Sequence, residues 1–293
     1  MTTSTEIDSG SGRLVVVTGA STGIGAATAR ELAGRGFHVL AGVRRDADAD
    51  ALRAENIEPH ILDITVDADV AAITARVLHD PDGRPLYALV NNAGVAVNAP
   101  VEVLPMTEWH RQFDVNLFGH IAMTRAMLPA LLAASGRVVT ISSVGGRVAM
   151  ATYGAYAGAK FALEAFSDAL RREVGAHGVT VVVVQPGAVV TEISRRGVDT
   201  AQRLAQAMTP DQHNRYDTLI AAVTDQAREF ARNGVPAAQA ARVVARAVTA
   251  ARPRTRYTVG RDAAVLVRLA RVTPDRVLDR MLRRNLQRAQ AVR

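Results

Sequence analysis

The sequence predicts an α/β fold in which helices cover both faces of a doubly wound parallel sheet. Three observations carry this. Short, Val-rich apolar runs recur along most of the chain, longer Ala-rich amphipathic stretches separate them, and the first run passes directly into a glycine-rich turn. The runs are residues 14–18, 37–43, 60–64, 86–91, 137–142 and 179–185. Several are continuous rather than alternating, which is how strands buried on both faces read. The stretches between them predict helices over 24–34, 67–78, 107–134 and 156–176, and a late strand over 255–259 closes the sheet. Regular strand–helix alternation of this kind builds a parallel sheet.

The chain has 293 residues, 48% hydrophobic but only 4% aromatic, so its core is built from Ala, Val and Leu. One large domain accommodates that length. Residues 1–12 are Ser/Thr/Gly-rich without an apolar run and read as a disordered tail, not a signal peptide. No uninterrupted apolar run reaches the length of a spanning helix. A soluble, cytoplasmic protein is therefore expected. The absence of cysteine excludes disulfides, thiolate nucleophiles and Cys-ligated metals. The seven His show no metal-binding spacing.

Net charge is +7 with a sequence pI of about 10.6, but the charge is localised. Residues 252–293 carry twelve Arg and three Asp, a net +9, so the first 251 residues sum to −2. No nucleic-acid recognition motif accompanies the charge, and nucleic acid is not an expected partner. Residues 261–293 form a basic amphipathic extension in which Val265, Leu266, Leu269, Val272, Val277, Leu278, Met281 and Leu282 alternate with Arg. Two readings stand for it: a helix packed on the domain with a solvated Arg face, or peripheral contact with an anionic membrane surface. Residues 192–236 contain no strand signal and are polar with scattered apolar positions.

The motifs point to chemistry. Thr18-Gly19-Ala20-Ser21-Thr22-Gly23-Ile24-Gly25 follows the first strand and opens a helix. Glycines let a backbone approach a pyrophosphate, and the helix N-terminus offers free N–H groups and a positive dipole end, so a Rossmann-type nucleotide site is predicted. Asn91-Asn92-Ala93-Gly94 ends the fourth strand, at the sheet edge that lines the ligand crevice in such folds. Ile141-Ser142-Ser143 ends the fifth strand, where a hydroxyl can meet a substrate oxygen.

In Tyr156-Ala157-Gly158-Ala159-Lys160 the first and last residues share a helix face. A nearby ammonium favours phenolate and so lowers a phenol pKa from about 10. Composition sharpens this reading: 34 of the 35 basic residues are Arg, and the single Lys lies four positions after one of only five Tyr. Arg, with its broad fork, does not replace a compact ammonium. Tyr153 has Ala157 four residues on and is the poorer candidate.

Together these motifs resemble the short-chain dehydrogenase/reductase family over about residues 14–193, with a sub-branch similarity to retinol and 17β-hydroxysteroid dehydrogenases in the stretch 161–172. The resemblance implies a catalytic domain over 13–260, with 192–236 covering the substrate, and an NAD(P)-dependent oxidoreductase acting on an alcohol/carbonyl pair. It assigns catalysis to Asn116, Ser143, Tyr156 and Lys160. It assigns cofactor contacts to Gly19, Ser21, Thr22, Gly23, Ile24, Gly25, Arg44, Asp63, Asn92, Ala93, Gly94, Tyr156, Lys160, Pro186, Gly187, Val189 and Thr191. Where NAD-preferring members carry an acidic residue for the ribose 2′-OH, this chain has Val43, then Arg44 and Arg45. NADP(H) is thus favoured, with NAD(H) possible. An apolar substrate of steroid, retinoid or lipid-like character is expected, lined by Val95, Val97, Met150, Val189, Ile193 and Met208. The resemblance also implies a homodimer or homotetramer assembled through 107–134 and 156–176. The alternative is a non-catalytic nucleotide-binding sensor or scaffold, but that reading expects a missing catalytic position, and all four are present.

Overall fold

A computed structural model of the chain describes residues 12–291. The tail expected over 1–12 lies outside the described residues apart from Gly12. In chain order the elements are β1 (Leu14–Val17), α1 (Gly23–Ala33), β2 (His38–Val43), α2 (Asp46–Leu52), β3 (Ile57–Ile61), α3 (Asp67–Leu78) and β4 (Leu86–Asn91). There follow α4 (Met106–Phe113), a π-helical turn (Asp114–Phe118), α5 (Gly119–Ala133), β5 (Arg137–Ile141), a 3₁₀ turn (Val144–Gly146), α6 (Gly154–Val174) and β6 (Thr180–Pro186). The rest comprises β7 (Val189–Val190), α7 (Glu192–Gln206), α8 (Pro210–Asn233), β8 (Val235–Pro236), α9 (Ala237–Thr249), β9 (Arg256–Val259), α10 (Arg261–Ala270) and α11 (Asp275–Ala291).

The main sheet has seven parallel strands in the order β3-β2-β1-β4-β5-β6-β9. The strand order reverses between β1 and β4, and the crevice opens at their carboxyl ends. The continuous apolar runs have the predicted cause. Val15, Val17, Val39 and Ala41 face α1 and α9 on one side, where Ala29, Leu32, Val244 and Val248 meet them. Leu14, Val16, Leu40 and Leu89 face the other side, against Ile73 of α3, Met123, Met127 and Leu131 of α5 and Leu170 of α6. Ala-rich surfaces let α1 and α9 pack closely, so few aromatics are needed.

Several elements differ from the sequence reading. The third strand lies at Ile57–Ile61, three residues earlier, because it is the sheet edge. Pro59 is tolerated there, and Glu58 joins His38, His60 and Arg76 in an ion-pair cluster that shields the edge. The short acidic α2 and the Ala-rich α9, which is amphipathic with Val244 and Val248 on its buried face, were not anticipated. Residues 192–236 hold two helices and also a strand, β8, which pairs in parallel with β7. Finally, the helical run 106–133 is long and apolar enough by composition to cross a membrane. Its inward face, His120, Met123, Thr124, Met127 and Leu131, instead packs against the sheet.

Candidate active site

The glycine turn is built by close approach. Gly19 has φ +64°, and a Cβ there would stand 2.6 Å from Ala93 Cα. A Cβ on Gly25 would stand 2.3 Å from the Gly19 carbonyl oxygen and 2.4 Å from Asn92 Nδ2. Neither position accepts a side chain. The Asn92 amide donates to the carbonyls of Thr18 (2.9 Å) and Gly19 (3.0 Å), and the Thr18 hydroxyl oxygen accepts from the backbone N–H groups of Asn92 (2.9 Å) and Ala93 (3.0 Å). The turn and the Asn-Asn-Ala-Gly segment are thus one unit. Thr22 at the N-cap of α1 makes no side-chain cap bond, so the first N–H groups of the helix stay available. A glycine cradle and a free helix N-terminus fit a dinucleotide pyrophosphate.

This unit lines one end of a cleft of about 2760 Å³. Ser21, Thr22, Gly23, Ile24, Asp63, Gly94, Pro186, Gly187, Val189 and Thr191 line the same cleft, so every expected cofactor contact reaches it. Asp63 also organises its own turn, accepting from the Thr65 N–H (3.0 Å) and hydroxyl (2.7 Å). The two arginines after β2 part company. Arg45 donates twice to Asp48, at 2.7 and 2.8 Å. Arg44 is exposed on the cleft wall and has no side-chain partner among the described residues.

Deeper in the cleft, the 3₁₀ turn after β5 brings Ser143 beside α6. Ser143 Oγ accepts from the Gly145 N–H at 3.0 Å, which leaves its own hydrogen free to donate. A Cβ on Gly145 would sit 3.2 Å from the Tyr156 ring and 3.4 Å from Ser143 Oγ, which places the serine loop against the tyrosine. Lys160 lies one turn below, buried, with Nζ donating to the Ile141 carbonyl at 2.9 Å and 6.0 Å from the Tyr156 ring centroid. Asn116 stands in the π-helical turn, a distortion common at functional sites. Its carboxamide clamps Val95, accepting from the N–H at 2.9 Å and donating to the carbonyl at 2.8 Å.

The electrostatics depart from one expectation. Burial pushes the Tyr156 phenol above its ordinary value, and the Ser143 hydroxyl opposes this. The expected lowering by Lys160 is not seen: the ammonium donates to the Ile141 carbonyl, and its nitrogen stands 6.0 Å from the centre of the half-buried Tyr156 ring. Burial also pulls Lys160 down to about 8, against the upward pull of Glu164. Tyr153 is pushed up to about 12, by burial first and then by Tyr156.

Three groups were not foreseen. Glu164, one helical turn beyond Lys160, binds Arg147 of the serine loop, Arg256 of β9 and Gln185 of β6. Its spacing from Lys160 was the only available signal. His120 is buried near Lys160. The C-terminal extension contributes Leu266, Leu282 and Leu286 to the cleft wall, so it is not merely an appendage. Val95, Val97, Met150, Val189 and Ile193 line the cleft as expected. Met208 does not: it is buried at the turn between α7 and α8, outside the wall.

The family model for short chain dehydrogenases matches residues 13–202. The chain belongs to that family. It is 35% identical over 283 residues to mouse (Mus musculus) retinol dehydrogenase 7, covering 92% of this chain and 87% of the relative. It is 34% identical over 259 residues to dehydrogenase/reductase SDR family member 9 of Bos taurus, covering 86% and 81%. These relatives place it in the retinol dehydrogenase-like branch of the family. Among solved structures, a Burkholderia cenocepacia short-chain dehydrogenase in complex with NADP superposes with a TM-score of 0.72 at 25% identity, covering 93% of this chain and 98% of that one. The short-chain dehydrogenase fold thus accounts for the strand order and the glycine cradle.

Proposed function

We propose that this short-chain dehydrogenase prefers NADP(H) and interconverts an alcohol and a carbonyl on an apolar substrate. The observation that carries the reading is the convergence of Ser143, Tyr156 and Lys160 in a cleft that also displays the unpaired Arg44 at its nucleotide end. When bound, the nicotinamide supplies or accepts a hydride. The chain does the rest. The Ser143 hydroxyl and the Tyr156 phenol hydrogen-bond the substrate oxygen, and Tyr156 gives or takes its proton. Lys160 holds positive charge beside the phenol and replenishes its proton, and Asn116 keeps Val95 in place below the substrate. Arg44 suits a 2′-phosphate because no carboxylate competes for it.

Apolar selectivity rests on Val97, Met150, Val189 and Ile193, joined by Leu266, Leu282 and Leu286 of the extension. Such a wall gives affinity roughly in proportion to the apolar area it covers. The name of the retinol dehydrogenase relative fits this substrate class. Val265, Leu269, Val272, Val277 and Met281 of α10 and α11 and the linker between them are exposed among arginines, which supports docking of this extension on an anionic membrane. Exposed Phe118 and Phe161, on the helical runs the family uses for assembly, support a homo-oligomer.

The test is a panel of carbonyls and alcohols with both cofactors, followed by absorbance of the reduced nicotinamide. The expected result is turnover with NADPH, with KM falling along a series of lengthening apolar substrates. Best activity on a small, charged or sugar-like substrate refutes the substrate class, and preference for NADH refutes the cofactor assignment.

A further inference from the structure

One wall of the cleft begins just past β4, in residues 95–99, a segment that pairs with no strand among the described residues. Its partners come from α4 and the π-helical turn instead. Gln112 of α4 is wholly buried, and its carboxamide bonds both backbone groups of Val97. Oε1 accepts from the Val97 N–H at 3.1 Å, and Nε2 donates to the Val97 carbonyl at 3.2 Å. Asn116, four residues on, does the same for Val95 at 2.9 and 2.8 Å. The next alternate residue, Ala99, donates its N–H to the Thr152 carbonyl at 3.0 Å, in the loop before α6.

The two spacings match. Four residues of helix rise about 6 Å, and two residues of extended chain span about 6–7 Å. A carboxamide offers a donor and an acceptor side by side, so each one imitates a backbone unit of a neighbouring strand. Gln112 and Asn116 are thus two rungs that hold the segment along one edge. Adjacent residues of an extended chain present their N–H groups to opposite edges, and those of Ala96 and Asn98 have no partner among the described residues. The second edge meets α7: a Cβ on Gly197 would stand 2.7 Å from the Ala96 carbonyl oxygen, so the covering helix lies directly on this segment.

The side chains are anchored as well. Val97 and Ala99 pack with Leu104 and Ala155, and Trp109, one turn before Gln112, packs against them. Val95 and Val97 both line the cleft, whereas Gln112 stays outside its wall. An apolar residue at 112 would leave the buried N–H and carbonyl of Val97 unsatisfied.

We propose that Gln112 is a positioning residue that sets substrate selectivity, its carboxamide fixing Val97 in the cleft wall as that of Asn116 fixes Val95. The inference rests on the apolar-substrate reading made above and names the group that shapes that wall. Gln112 touches no reacting atom, so its loss falls on binding of substrates long enough to reach Val97 and spares the chemical step.

The experiment compares wild type with Gln112→Met, Gln112→Leu, Val97→Ala and the double variant Gln112→Met/Val97→Ala, over a series of lengthening apolar alcohols. Thermal melting and cofactor titration check each protein. Gln112→Met keeps the length of the side chain and removes both bonds. It is expected to raise KM for the longest substrates about tenfold, the effect of one valine side chain losing its contact. KM for the shortest substrate, kcat and cofactor Kd should stay near wild type. The double variant should be no worse than Val97→Ala, because both changes act through one side chain. Amide exchange reads the clamp apart from turnover: the Val97 amide should be protected in wild type and lose protection in either Gln112 variant, while Val95 keeps it. An unprotected Val97 amide in wild type overturns the proposal even if neither Gln112 variant folds. Folded variants that keep the wild-type fall of KM with chain length overturn it too, as do additive losses in the double variant. A wild type whose KM does not fall along the series overturns the apolar-substrate reading itself, a different failure.

Discussion

Removing the Glu164 carboxylate should unsettle the fold and the serine loop together. The carboxylate is nearly enclosed, with its side chain 4% exposed, and it accepts from Arg147 at 2.8 Å, Arg256 at 3.0 Å and Gln185 at 2.7 Å. In Glu164→Ala, Arg256 keeps Asp168 at 2.6 Å, but Arg147 loses its only ion pair among the described residues. Breaking a buried ion pair by removing one partner costs about 3–5 kcal/mol. Both arginines retain some exposure, so the lower end applies, about 3 kcal/mol. For a domain of this size that corresponds to a fall in Tm of roughly 6–10 °C. Arg147 follows the 3₁₀ turn that carries Ser143, so kcat should fall as well. Differential scanning calorimetry and steady-state kinetics on Glu164→Ala and Arg147→Met test this. Arg147→Met leaves the carboxylate bonded to Arg256 and Gln185 and should cost about 1 kcal/mol. A Glu164→Ala protein that melts within 2 °C of wild type, or an Arg147→Met change as severe as Glu164→Ala, would refute the reasoning (about 2 °C being less than 1 kcal/mol here).

Tyr156→Phe should abolish turnover while leaving cofactor affinity nearly intact, and Lys160→Arg should be severely impaired despite keeping charge; wild-type rates in either overturn the assignment. Arg44→Ala should weaken NADPH by about 10- to 100-fold and NADH little, since a charge-assisted phosphate contact contributes about 1.5–3 kcal/mol. Arg45→Ala, whose guanidinium is already held by Asp48, should leave both cofactors nearly unaffected in the same titration. Gly25→Ala should abolish cofactor binding or folding, because its Cβ would stand 2.3 Å from a backbone oxygen; a stable, NADPH-binding variant contradicts the close-approach argument. Carbonyl reduction should be flat at low pH and fall as pH rises through about 8, where Lys160 loses its charge. Tyr156, pushed above its ordinary value, stays protonated across that range, so a plateau reaching to the usual lysine pKa would refute the role of the ammonium.

Parallel strands were legible because burial on both faces writes continuous apolar runs, and β4 (Leu86–Asn91) and α3 (Asp67–Leu78) lie where the pattern puts them. The third strand was misplaced because an edge strand carries Pro59 and the charged Glu58 instead of that pattern. The capping box of Thr209 and Gln212, with Pro210 in the first turn, marks the start of α8 in sequence, yet its reach over the cleft could not be read from it. Met208 was expected in the pocket from family-like topology, but it lies buried in the turn between α7 and α8.

By itself the sequence determined the fold class, the glycine cradle and the pairing of Tyr156 with Lys160. Each is a local pattern: a periodicity, a turn before a helix, two residues one helical turn apart. Only the tertiary structure decided which arginine is free for a phosphate, what holds Glu164, where His120 sits and that the C-terminal extension walls the cleft. Arg256 and Glu164 are 92 residues apart, and Asn91 and Thr124 are 33. Contacts of that kind arise from strand register and from the angle at which helices pack, and neither leaves a mark at any one stretch of chain.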